Sequence, residues 1–125
     1  MAGKIIADQL EHSSVGVVDT KYVVNGSAKA WINFTTSSTT SDLDSFNIAS
    51  LTDNGTGDTT NTYANAMNAV NYASVGMCGE QLTTAATRIM HIGTKTASAI
   101  RVHTTTTSAV DDMPEHNIVV HGDLA

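Results

Sequence analysis

The chain of 125 residues and 13.1 kDa is one domain's worth of polypeptide, which excludes two independent cores. Six Lys and Arg against twelve Asp and Glu leave a formal charge of -6, which argues against a surface built to neutralise phosphates and so against nucleic-acid binding. Charged residues are only 14% of the chain and apolar ones 41%; polarity comes instead from 19 Thr, 11 Ser and 9 Asn, a mixture suited to strands and turns.

The opening stretch reaches charge at Lys4 and Asp8 and lacks the apolar run of about 7 to 15 residues that a signal peptide needs. Residues 1–14 read as an N-terminal arm or lead-in, and residues 15–125 as a single domain. Residues 15–18 and 21–24 look like strands, and Asn25-Gly26 is placed as the tight turn of a hairpin. The clearest strand is 28–34. Ala28, Ala30, Ile32 and Phe34 share one face, while Lys29, Trp31 and Asn33 share the other, so the only Trp points away from the core side. After a polar loop over 35–41, residues 45–51 form a further strand in which Phe46 and Ile48 alternate with Asn47, Ala49 and Leu51.

That strand runs into Asp53-Asn54-Gly55-Thr56-Gly57-Asp58, where two glycines and three Asx residues mark a turn with left-handed backbone. A calcium loop is the other reading, but the side-chain oxygens of Asp53, Asn54 and Asp58 fall short of the six to eight ligands calcium takes. Residues 59–79 carry no charge, yet Asn61, Asn65, Asn68 and Asn71 interrupt them, so a membrane span is not expected. Tyr63, Met67, Val70 and Ser74 have helical spacing; a loop followed by a strand over 71–77 fits the four Asn better. Residues 87–92, 99–104 and 117–121 complete about eight strands, and Pro114 can only end or edge one. Short apolar stretches at this spacing predict an all-β fold, an antiparallel, jelly-roll-like β-sandwich. Its expected core is Ile32, Phe34, Phe46, Ile48, Val75, Ile100, Val102, Ile118 and Val120.

Signals for chemistry are poor. No G-x-S-x-G elbow follows a strand, and no glycine loop suited to phosphates leads into a helix. Cys78, the only cysteine, can form no intrachain disulfide and reads as a small buried hydrophobe rather than a nucleophile. His91, His103 and His121 each sit in an expected strand and would bind metal only by converging in space, without any H-x-H pair to favour it. No catalytic residue, metal or cofactor is therefore assigned. Trp31, opposite the core face and taken to lie near Tyr22, is instead the expected anchor of a subunit interface, since aromatics are enriched there.

Two blocks carry a family resemblance. Asn25-Gly-Ser-Ala-Lys-Ala-Trp-Ile-Asn-Phe34 resembles the V-N-G-S-A-K-A-W-V-N-F core of a domain of phage and prophage tail-fibre-like proteins, especially of marine and alphaproteobacterial phages. Asp44-Ser-Phe-Asn-Ile-Ala-Ser-Leu-Thr-Asp-Asn-Gly-Thr-Gly-Asp58 is similar to that family's D-S-F-N-V-S-S-V-T-D-N-G-T-G-D block, and residues 7–13 resemble its lead-in. The likeness covers roughly the first half. Beyond it, residues 59–68 depart from the family's Y-T-V-N-F-T-T-A-M-P pattern, and little matches after Ala73.

The resemblance implies a β-rich, trimeric virion protein, assembled in the host cytoplasm, with no catalytic residues to carry over. Its partners would be two further copies of itself, other phage virion proteins and a host surface receptor. The leading expectation is a tail-fibre-like module for host attachment that displays the 53–58 loop. Capsid decoration, by a cement or head-fibre protein with a terminal arm, is the alternative, and a free carbohydrate-binding module is a further one.

Overall fold

The computed structural model describes residue 3 and residues 5–79 and 87–125. Among these residues, ten strands and one short helix follow in the order β1 (Gln9–His12), β2 (Gly16–Asp19), α1 (Thr20–Gly26), β3 (Ala30–Thr35), β4 (Ser41–Phe46), β5 (Ile48–Gly55), β6 (Asp58–Tyr63), β7 (Ala73–Gly79), β8 (Ile89–Lys95), β9 (Ala99–Thr105) and β10 (Glu115–His121). Two four-stranded antiparallel sheets, ordered β4-β3-β10-β7 and β5-β6-β9-β8, make the expected β-sandwich. A separate two-stranded sheet, β1-β2, stands outside it.

Each sheet buries one face, and the central strands show this by strict alternation. In β3, Ala30, Ile32 and Phe34 are buried; in β10, His116, Ile118 and Val120; in β9, Ile100, Val102 and Thr104. β6 has the same pattern with polar residues, burying Thr59 and Asn61 beside Tyr63. Met67 and Tyr72, from the connection between β6 and β7, and Met113, just before β10, fill the remaining core space. Tyr63 and Tyr72 meet edge to face at 5.8 Å, and the Tyr72 hydroxyl donates to the Ala99 carbonyl at 3.0 Å. A Cβ on Gly76 of β7 would stand 2.6 Å from Met90 Sδ of β8 and 3.1 Å from Asn117 O, so glycine lets that thioether pack against the strand.

Several sequence expectations need correction. Residues 21–24 are not a strand but the middle of α1, and Asn25-Gly26 ends that helix instead of turning a hairpin. Three consecutive aromatic or β-branched residues, Tyr22, Val23 and Val24, have strand propensity, yet neither adjacent element offers them a ladder, because β2 pairs with β1. Residues 16–18 consequently belong to the small sheet, with Val15 in the turn before them, and the sandwich itself opens at β3. The expected strand over 45–51 is two strands in different sheets. Asn47, at φ 58°, is the corner between them. Its Nδ2 donates to the carbonyls of Lys29 and Asn65 at 2.9 and 3.1 Å, and its Oδ1 accepts from Asn65 N at 2.7 Å. The corner turns Phe46 outward and Ile48 toward the core, so Phe46 leaves the expected core set. Val75 leaves it too, because its register partner is Val119 on the outer side of β10.

Candidate functional site

The outer faces of the two sheets differ in chemistry, and this difference is the most distinctive feature of the described surface. On the β4-β3-β10-β7 sheet, Phe46 is registered opposite Trp31, Trp31 opposite Val119, and Val119 opposite Val75. Alternation fixes their side. Ala30 and Ile32 flank Trp31 and are buried, so Trp31 faces outward, and its cross-strand partners face the same way. One apolar row therefore spans all four strands. Phe46 is 53% exposed, Val75 68% and Met77, next along β7, 75%, whereas Trp31 and Val119 are half-buried by their neighbours.

Beside this row runs a second one, polar at Asp44, Asn33 and Asn117 and ending on the apolar Met77 of β7, in which Asn33 Nδ2 donates to Asn117 Oδ1 at 2.7 Å. Asn117 in turn donates to Glu115 Oε1 at 3.1 Å. Val75, Met77, Gly79, Glu115, Asn117 and Val119 line an open groove of about 390 Å³ along β7 and β10. The face is thus an apolar band with a hydrogen-bonded amide ladder at its side, the mixture found where a subunit interface has an apolar centre and a polar rim.

The outer face of the β5-β6-β9-β8 sheet is polar. Ser50, Thr52, Thr60 and Thr62 share it with a charged cluster at the strand ends. Arg101 Nε donates to Asp58 Oδ1 at 2.7 Å, Arg101 Nη2 bonds to Asp58 Oδ2, and Asn54 Nδ2 donates to Asp58 Oδ1 at 3.3 Å. The Arg101 hydrogen bonds hold the Asp58 carboxyl below the ordinary carboxylate range, and the same pairing raises Arg101. His103 Nδ1 is 3.8 Å from Asp58 Oδ1.

The 53–58 segment is the β5–β6 hairpin end, as its glycines suggested, with φ 126° at Gly55 and 65° at Gly57. Asp53 Oδ1 accepts from Gly55 N at 2.8 Å and its Oδ2 from Thr40 Oγ1 at 2.7 Å; the Thr40 bond, then the Gly55 bond, hold its carboxyl low. Those two oxygens are engaged in turn formation, as in an Asx turn, and not in a cation cage. Asp53, Asn54, Gly55 and Thr56 are exposed and Asp58 is half-buried, but Gly57 is buried beneath the 111–112 link, where its N donates to Asp112 Oδ1 at 2.8 Å. Display of this loop is therefore a property of its first four residues.

Tyr22 lies on α1 and is exposed; the hairpin expected to bring it beside Trp31 does not form. His91 and His103 are register partners on β8 and β9, whereas His121 closes β10 in the other sheet, so the three do not converge. Among the described residues, no group of three or more His, Cys, Asp or Glu is placed to hold a metal ion. Burial raises the Cys78 thiol, the opposite of what an activated nucleophile needs. Sequence reasoning missed Phe46, Val119 and Val75 as partners of Trp31. The signal lay in register, which a single strand's alternation does not contain. No family model matches the chain, and no curated protein or solved structure matches it either.

Proposed function

We propose that this protein is a structural protein of a bacteriophage particle, a tail-fibre-like β-sandwich module that assembles with copies of itself and is displayed for host attachment. The observation that carries the reading is the contrast between the two outer faces. An apolar row of four residues across one sheet suits burial against another subunit, while the Thr, Ser and Asn face of the other suits contact with water and with a polar receptor. The likeness of residues 25–34 and 44–58 to tail-fibre-like blocks supplies the biological setting. A homotrimer is the proposed assembly, with the Trp31 faces turned inward and the exposed residues 53–56 presented outward. The role is passive, and no bond is made or broken.

Capsid decoration is the second reading. It is favoured by the β1, β2 and α1 unit outside the sandwich, since a decoration protein needs a segment that fits other capsid subunits. Immunogold labelling and peptide mass spectrometry of washed particles from the phage encoding this chain test the proposal. The protein is expected in several copies per particle, at the tail tip for attachment or over the head for decoration. Its presence in infected-cell lysate but not on particles would overturn both readings.

A further inference from the structure

The unit formed by residues 5–26 contradicts the ordinary rule that an element buries its apolar side. Ile5, Ile6, Leu10, Val15, Val17, Val18, Tyr22, Val23 and Val24 are all exposed, α1 has no buried residue, and every residue of β1 is exposed. A hairpin of two four-residue strands and a seven-residue helix are each too short for independent stability in water, since lone hairpins are marginal and helices need about 12 to 15 residues. The accessible surface points the same way. At 7924 Å² it exceeds by about 1,500 Å² the roughly 6,400 Å² expected of a compact monomer of 13.1 kDa. A stable protein–protein interface needs only about 800 Å² from each partner.

The junction tethers this unit to the sandwich through Lys29. Lys29 is buried, its N donates to Val120 O at 2.8 Å, and its Nζ bonds to the Val24 carbonyl and to Ser27 O and Oγ at 3.1 and 2.8 Å. The end of α1 is thereby tied to the start of β3, two residues from Trp31. Within the unit, Ile5, Ile6, Leu10, Val23 and Val24 line an open apolar groove of about 430 Å³.

We propose that residues 5–26 are an assembly arm whose groove is filled by a second copy of this chain. The arm is continuous along the chain with β3, whose Trp31 begins the apolar row, so arm and sheet face join in one interface. The identity of the partner rests on the assembly reading given above; the exposed groove and the surface excess are independent of it. Because the substituted side chains are already exposed, charged replacements there leave the sandwich core intact.

Light scattering of the full chain, of Leu10→Asp/Val23→Asp and of Trp31→Ala tests the arm separately from the sheet face. The expected result is a mass that is a multiple of 13.1 kDa for the natural chain and a shift to monomer, at least tenfold in the dissociation constant, for the arm variant. Thermal melting by circular dichroism should show the sandwich unchanged. If that variant melts early, Ile5→Asp, at a groove position 92% exposed, gives the same reading. An arm variant that keeps the natural mass overturns the arm while leaving the sheet face to explain assembly if Trp31→Ala dissociates. A monomeric natural chain overturns both.

Discussion

Gly57 and His116 show how single residues hold the sandwich ends in place. A Cβ at Gly57 would stand 2.5 Å from the Thr104 carbonyl oxygen and 2.9 Å from Asp111 N, in a backbone at φ 65° that disfavours side chains. Gly57→Ala should therefore cost roughly 2 to 4 kcal/mol, combining overpacking with left-handed strain. Gly55→Ala, with open space at the same hairpin, should cost only about 1 kcal/mol. Urea unfolding midpoints of the two variants check the order, and equal losses would contradict it. His116 is buried and stacked on Phe34 at 4.4 Å with 12° between the rings. Burial pushes its pKa below 6.5. Since the folded-state value is depressed, the neutral ring gives its full stability above the unfolded value of 6.5, and that contribution is lost as pH falls from there through the folded value. The urea midpoint should fall between about pH 7 and pH 5, and His116→Phe should flatten the slope. The carboxyls of Asp53 and Asp58, both held low, contribute above 3.8 and lose their contribution only below it, outside that window. An identical slope in the variant would mean that His116 does not set it.

Among the elements, β3 and β6 mark the limits of what the sequence shows. β3 was readable because its buried residues are apolar and its outward ones polar or aromatic. The alternation in β6 is equally regular, but its buried positions are Thr59, Asn61 and Tyr63, so hydropathy shows no strand. Asn61 is 0% exposed, and neither its Oδ1 nor its Nδ2 has a hydrogen-bond partner among the described residues. Replacing an unsatisfied buried amide by an apolar side chain of similar volume removes a desolvation penalty. Asn61→Leu should accordingly raise stability by about 1 to 2 kcal/mol, read as a higher urea midpoint at unchanged slope. A loss of similar size would mean that the amide is satisfied in solution. The helix at 20–26 was unreadable for the converse reason. Val23 and Val24 favour strands locally, and only the pairing of β2 with β1 removes their partner.

For the whole molecule, the sandwich class and the outward direction of Trp31 followed from alternation, whereas the apolar row did not. It depends on the β3–β4, β3–β10 and β10–β7 registers, two of which join residues more than forty positions apart in the chain. The break at Asn47 decides it, since an unbroken strand over 45–51 would have put Phe46 in the core. With one face apolar, the other polar and a surface well above that of a compact monomer, the molecule has the features that the proposed multi-copy assembly needs. The mass of the purified chain in solution, measured by light scattering with Trp31→Ala alongside, tests this most directly. The proposed homotrimer predicts about three times 13.1 kDa for the natural chain and a lower mass for the variant. A mass of 13.1 kDa for both would contradict it.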